Sequence, residues 1–151
     1  PGGGVRKWLQ RMRGVKIGKN VHWGTQVIVD YPYPYFVVVE DGASISGSDY
    51  FLAHCKPMEY HDSFVESYVA PIIVRKNAWI ALNVTLMPGV EVGEGAIVSA
   101  GSIVSKDVPP FTVAQGNPAK VVADIAEMVR KNYAPEEFER LLEERKRRYK
   151  I

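Results

Sequence analysis

Between Val74 and Val108 apolar positions recur with a period of six: Val74, Ile80, Leu86, Val92, Val98 and Val104 hold one register. The position four residues after each is small or β-branched, in Ala78, Val84, Val90, Ala96, Ser102 and Val108. Three places after each apolar residue stand Asn77, Asn83, Gly89, Gly95, Gly101 and Asp107, residue types that tolerate a left-handed backbone. Each unit predicts a very short strand and a sharp corner. Such strands cannot fold back as hairpins; they coil the chain, about three strands to a turn of a parallel β-helix whose aliphatic column points inward.

The same register is weaker upstream. Ile17, Trp23 and Val29 begin it, with Asn20 at a corner; Val39, Ile45 and Phe51 resume it, with Gly42 and Ser48 at corners. Two stretches interrupt it. Asp30 to Phe36, with Pro32 and Pro34, is too proline-rich for an inner strand. Cys55 to Pro71 has the length that compact domains keep for function. The ends read as helices. Val5, Trp8, Leu9 and Met12 fall on one helical face, which would cover the open top of the coil. Val122, Ile125, Ala126 and Val129 form a second face, and a last helix opening at Pro135 would bury Phe138, Leu141 and Leu142. The expected layout is a single all-β domain: a cap over 1–14, coils over 15–54 and 72–120, a protruding loop over 55–71 and helices over 121–151.

A chain of 151 residues can bury such a core without staples. Its formal charge of +2 makes nucleic acid a poor default partner, although cations gather at Arg6 to Lys16 and at Arg145 to Lys150, where solvated helix faces are the ordinary reading. The single cysteine, Cys55, excludes an internal disulfide and suits a reducing cytoplasm, the expected location. No apolar run is long enough for an integral membrane segment. Pro1-Gly2-Gly3-Gly4 lacks an initiator methionine and reads as a trimmed end, with no secretion signal behind it.

The run from Trp79 through Pro88-Gly89 to Ala100-Gly101-Ser102, Ser105-Lys106-Asp107-Val108-Pro109 and Gly116-Asn117-Pro118-Ala119-Lys120 resembles the signature of hexapeptide-repeat acyltransferases. More narrowly it is similar to sugar O-acetyltransferases of the maltose, galactoside and surface-polysaccharide type. The resemblance spans roughly residues 14–123. It implies a left-handed coil, a homotrimer with sites between subunits, acetyl-CoA as cosubstrate without a metal, and a sugar or polysaccharide precursor as acceptor. Val74-Arg75 stands where the family has Ile-Gly, Ala81 and Ser99 stand where it has glycine, and Cys55 follows the candidate histidine where Asp or Pro is common.

Acyl transfer from a thioester to a hydroxyl needs a base, donors for the oxyanion and a groove for the pantetheine arm. His54, where the chain leaves the coil, matches the family's catalytic histidine; His61, inside the loop, is the alternative base. Glu59, Asp62 or Glu66 could orient either ring. By the resemblance, Trp79, Ala100, Ser105, Lys106 and Lys120 line the cofactor groove, and backbone N–H groups near Ala81 and Leu82 are the oxyanion donors. Asp30 and Tyr31, in the aromatic insertion, are candidate acceptor contacts. The competing readings are an N-acetyltransferase acting on an amino sugar, a zinc enzyme like the γ-class carbonic anhydrases using His22, His54 and His61, and a non-catalytic scaffold.

Overall fold

In the computed structural model, which describes residues 3–61, 63–132 and 134–149, the period-six units become strands of a three-sided coil. Helix α1 (Gly3–Met12) leads into a first coil of β1 (Lys16–Ile17), β2 (His22–Thr25) and β3 (Ile28–Val29). A second coil holds β4 (Val37–Val39), β5 (Ser44–Gly47) and β6 (Tyr50–Phe51). The chain then leaves through β7 (His54–Cys55) and returns through β8 (Tyr68–Val69), an antiparallel pair at the base of an arm. A third coil follows in β9 (Ile72–Val74), β10 (Trp79–Ile80) and β11 (Thr85–Leu86), and a fourth in β12 (Glu91–Val92), β13 (Ile97–Val98) and β14 (Ile103–Val104). After β15 (Thr112–Gly116), β16 (Ala119–Asp124) folds back antiparallel and hands over to α2 (Ile125–Asn132) and α3 (Pro135–Tyr149).

Stacking the coils pairs like with like. One parallel sheet aligns Ile17 with Val39, Val74 and Val92; the next aligns Trp23, Ile45, Ile80, Val98 and Ala114; the third aligns Val29, Phe51, Leu86 and Val104. All but Ile17 are buried, and Ile17 packs against them, so the column read from the sequence is the core. The corners follow their residue types: φ is positive at Asn20, Ser48, Asn77, Asn83, Gly42, Gly89, Gly95 and Gly101. Asp107 does not adopt that conformation; its carboxylate accepts from the Glu91 N–H at 2.8 Å.

Three expectations need correction. Helix α1 does lie on the open end of the first coil, but by its basic side. Lys7 donates to the Val21 carbonyl at 2.8 Å, Arg6 to Trp23, Arg11 to Ile17 and Gly18, and Arg13 to Val29 and Asp30. The first coil has no neighbour above it, so its outward carbonyls would lack donors, and guanidinium and ammonium groups supply them. Val5, Trp8, Leu9 and Met12 are turned to solvent instead. Second, Val121 to Asp124 are strand rather than helix, because they complete a ladder with β15, and Val122 is exposed. Third, the loop over 55–71 is not coil throughout: β7 and β8 give it a paired base. The side chains of Phe138, Leu141 and Leu142 lie outside the described residues, as does Asp62. Among the described residues, no helix is long and apolar enough to cross a membrane.

Candidate active site

Where β6 ends, the ladder passes one residue further, with the Asp30 N–H donating to the Phe51 carbonyl at 2.8 Å. Val29 and Phe51 share a column, so the segments that follow them must leave the coil at the same corner. This brings Asp30 under His54. The carboxylate accepts from the Ala53 N–H at 2.7 Å and meets His54 Nδ1 at 2.5 Å through Oδ2; through Oδ1 it accepts from the Tyr33 N–H at 3.3 Å. Asp30 is only 3 % exposed, whereas the His54 ring reaches solvent.

Asp30 is therefore not an acceptor contact. Both its oxygens are committed inside the protein, and its role falls on His54. An ionised carboxylate at Nδ1 holds the proton on that nitrogen, which leaves the Nε2 lone pair for a substrate proton. The Tyr33 ring packs on the imidazole with centroids 5.5 Å apart and is braced by Phe36 at 6.2 Å. Tyr31, the other acceptor candidate, is 89 % exposed and does not line the cavity at His54.

His54 opens into a cavity of about 530 Å³ walled by Tyr33, Cys55, Lys56, Ser67 and Tyr68, between the aromatic insertion and the base of the arm. A shallower groove near Arg11, Ile17 and Lys76 includes Glu40 and Asp41, but Glu40 is paired with Arg75 and Asp41 accepts from the Lys19 backbone N–H. His61 sits further out, in a short turn (Glu59–His61) against Tyr60 and Phe64, and is not part of the cavity wall. His22 is exposed on β2. No three metal-binding side chains converge among the described residues.

The cofactor candidates stand elsewhere on the coil. Trp79, Ala81, Leu82 and Ala100 lie along the edge between the second and third sheets, where the Gly101 N–H donates to the Leu82 carbonyl at 3.0 Å. Trp79 is half exposed, its Nε1 donating to Ser46 Oγ at 3.0 Å. Lys120, exposed on β16, follows the same sheet. Ser105 and Lys106 occupy the next edge, two coils below His54, exposed to solvent. None of these residues reaches the His54 cavity within this chain. The Ala81 N–H is also spent on the Val98 carbonyl at 3.0 Å, so it cannot serve as an oxyanion donor as expected.

The sequence held the signals for two of the missed roles. The Val29–Phe51 column places Asp30 beside Ala53 and His54 once the aromatic insertion is counted out of the register. Tyr33 follows from the same corner, three residues along.

No protein-family model matches the chain. The "putative acetyltransferase YvoF" of Bacillus subtilis is 32 % identical over 127 residues, which cover 83 % of this chain and 70 % of that protein. Among solved structures, the polySia-specific acetyltransferase NeuO superposes with a TM-score of 0.64 at 29 % identity, over 74 % of this chain and 52 % of that one. A galactoside acetyltransferase in complex with coenzyme A superposes with a TM-score of 0.66 at 25 % identity, over 83 % and 72 %. Against several other curated acetyltransferases, from Staphylococcus aureus, the chain spans about half the relative's length, 55 %.

Proposed function

The chain belongs to the hexapeptide-repeat acetyltransferases, and from that premise we propose that it transfers acetyl from acetyl-CoA to a hydroxyl of a sugar or polysaccharide precursor. The observation that carries this reading is the buried Asp30 carboxylate at 2.5 Å from Nδ1 of a solvent-facing His54. Such a pair is a general base with its tautomer fixed and its cation stabilised. A saccharide acceptor rests on the likeness to NeuO and to the galactoside enzyme.

In the proposed step His54 Nε2 takes the proton of the acceptor hydroxyl while its oxygen attacks the thioester carbonyl carbon. The carbon–sulfur bond then breaks, and the imidazolium returns the proton to the departing thiolate. Leu82, whose N–H carries no carbonyl bond among the described residues, is the remaining candidate donor to the oxyanion. Cys55 needs no covalent role, because attack is direct.

The position of the cofactor candidates supports an active site shared between subunits of a homotrimer, with the left-handed coil of the family. His54, Ser105 and Lys106 lie on one edge of the prism, and Trp79, Leu82, Ala100 and Lys120 lie on or beside another. One chain cannot close both walls around a single pantetheine arm, whereas two prisms side by side bring unlike edges together.

The test is incubation with acetyl-labelled acetyl-CoA and a panel of neutral, acidic and amino saccharides. Label should appear in the saccharide as an ester that hydroxylamine cleaves. A hydroxylamine-stable amide would move the acceptor atom to nitrogen, and no transfer to any saccharide would remove the acceptor class.

A further inference from the structure

The outward face of α1 has no role in the site. Val5, Trp8, Leu9 and Met12 recur at helical spacing and all are exposed, Trp8 at 57 %. Ordinarily such a stripe turns toward the protein. Here it cannot, because the end of the coil presents backbone carbonyls and selects the basic side of the helix.

The charge around the stripe is one-sided. Residues 1–29 contain Arg6, Lys7, Arg11, Arg13, Lys16 and Lys19 and not one carboxylate; the first acidic residue is Asp30, buried against His54. Lys7, Arg11 and Arg13 donate to neutral carbonyls, which leaves their charge uncompensated. No carboxylate pairs with them, or with Lys16 or Lys19, among the described residues. Of the nearby acids, Glu40 is paired with Arg75, and Asp41, which accepts from the Lys19 backbone N–H, is a single negative charge against these cations.

We infer that this end of the molecule is a docking surface for an anionic lipid bilayer, with α1 lying in the headgroup plane. An exposed apolar stripe containing a tryptophan, on a helix whose opposite side is basic, is complementary to that surface in chemistry, and the net positive charge of this end of the molecule is complementary to it in charge. A second copy of this end, carrying the same uncompensated cations, would meet it with repulsion. The helix adds no spanning segment, consistent with the absence of one among the described residues.

Vesicle flotation with the full chain tests this without reading acetyl transfer, so it stands or falls apart from the enzymatic reading. The chain should float with vesicles of phosphatidylcholine containing about 30 % phosphatidylglycerol at least about tenfold more than with phosphatidylcholine alone. Added salt should release it. Leu9→Asp, at an exposed position, should abolish flotation, and Trp8→Ala should weaken it if the aspartate variant fails to fold. Lys16→Gln with Lys19→Gln should weaken the preference for anionic vesicles, since only Lys7, Arg11 and Arg13 then remain of the unpaired cations. Wild type that stays with the unbound fraction, or a folded Leu9→Asp that floats equally well, overturns the inference. So does a lipid-free loss of oligomer in Leu9→Asp, which would make the stripe an interface between copies.

Discussion

At the scale of single residues, two buried carboxylates, Asp30 and Asp49, have different duties. Asp30 is shared among two backbone N–H groups and His54, so Asp30→Asn should keep the corner but lose the fixed tautomer. Its kcat should fall by about 10²-fold with CoA affinity unchanged, read by steady-state kinetics beside a binding titration. Cys55→Ala, beside His54 in the cavity wall, should keep most of the activity. Asp49 is buried with no counter-cation among the described residues, holding the Gly47 and Val84 N–H groups at 2.9 and 2.8 Å. Burial pushes its carboxyl up to about 6, against the opposing pull of those two N–H donors. Because the folded state holds this proton more tightly than the unfolded state, the contribution is fully present below the unfolded value of 3.8 and is lost as pH rises through about 6. Urea unfolding should therefore show about 2–3 kcal/mol of pH-dependent stability across that window that Asp49→Asn lacks. A variant with the same pH slope as wild type would remove Asp49 as its cause.

At the scale of elements, Arg75 shows what a departure from the family pattern does. Its Nε and Nη2 meet Glu91 at 2.7 and 2.8 Å and its Nη1 meets Glu40 at 2.8 Å, which ties the second, third and fourth coils on one outer face. The pair holds the Glu91 carboxyl below its usual range. These groups are partly exposed and screened by solvent, so Arg75→Ala should cost little stability, and a double-mutant cycle with Glu91→Ala should recover most of that loss as coupling. The strands and most corners were legible in the sequence, because side-chain period and left-handed corner residues are local properties. The facing of α1 was not. An apolar stripe predicts burial only where the partner surface is apolar, and the open end of a β-helix is a ring of carbonyls. Similarly, Val122 has the spacing of a helical face but belongs to a strand, since β15 offers a free edge that its segment completes. The Asp30–His54 pair joins residues separated by an insertion, so only the column register, not local spacing, reveals it.

At the scale of the molecule, the proposed base and part of the proposed cofactor wall lie on different edges of one prism, and the proposed homotrimer would join them. Mixing His54→Ala with Trp79→Ala, each inactive or weak alone, should restore activity in mixed trimers, since some sites then pair an intact His54 with an intact Trp79. Refolding the two variants together and assaying acetyl transfer reads this directly; no recovery, with mixed oligomers shown by mass, would place both residues in one chain's site. The claim on which the rest depends is that His54 is the base. Pre-steady-state transfer of labelled acetyl from acetyl-CoA to an acceptor, in wild type and His54→Ala at matched CoA occupancy, tests it most directly. With His54 as the base, the transfer rate should drop by about 10²- to 10⁴-fold with CoA affinity nearly unchanged. A His54→Ala variant that transfers acetyl at the wild-type rate, or a His61→Ala variant that is dead beside it, would contradict it.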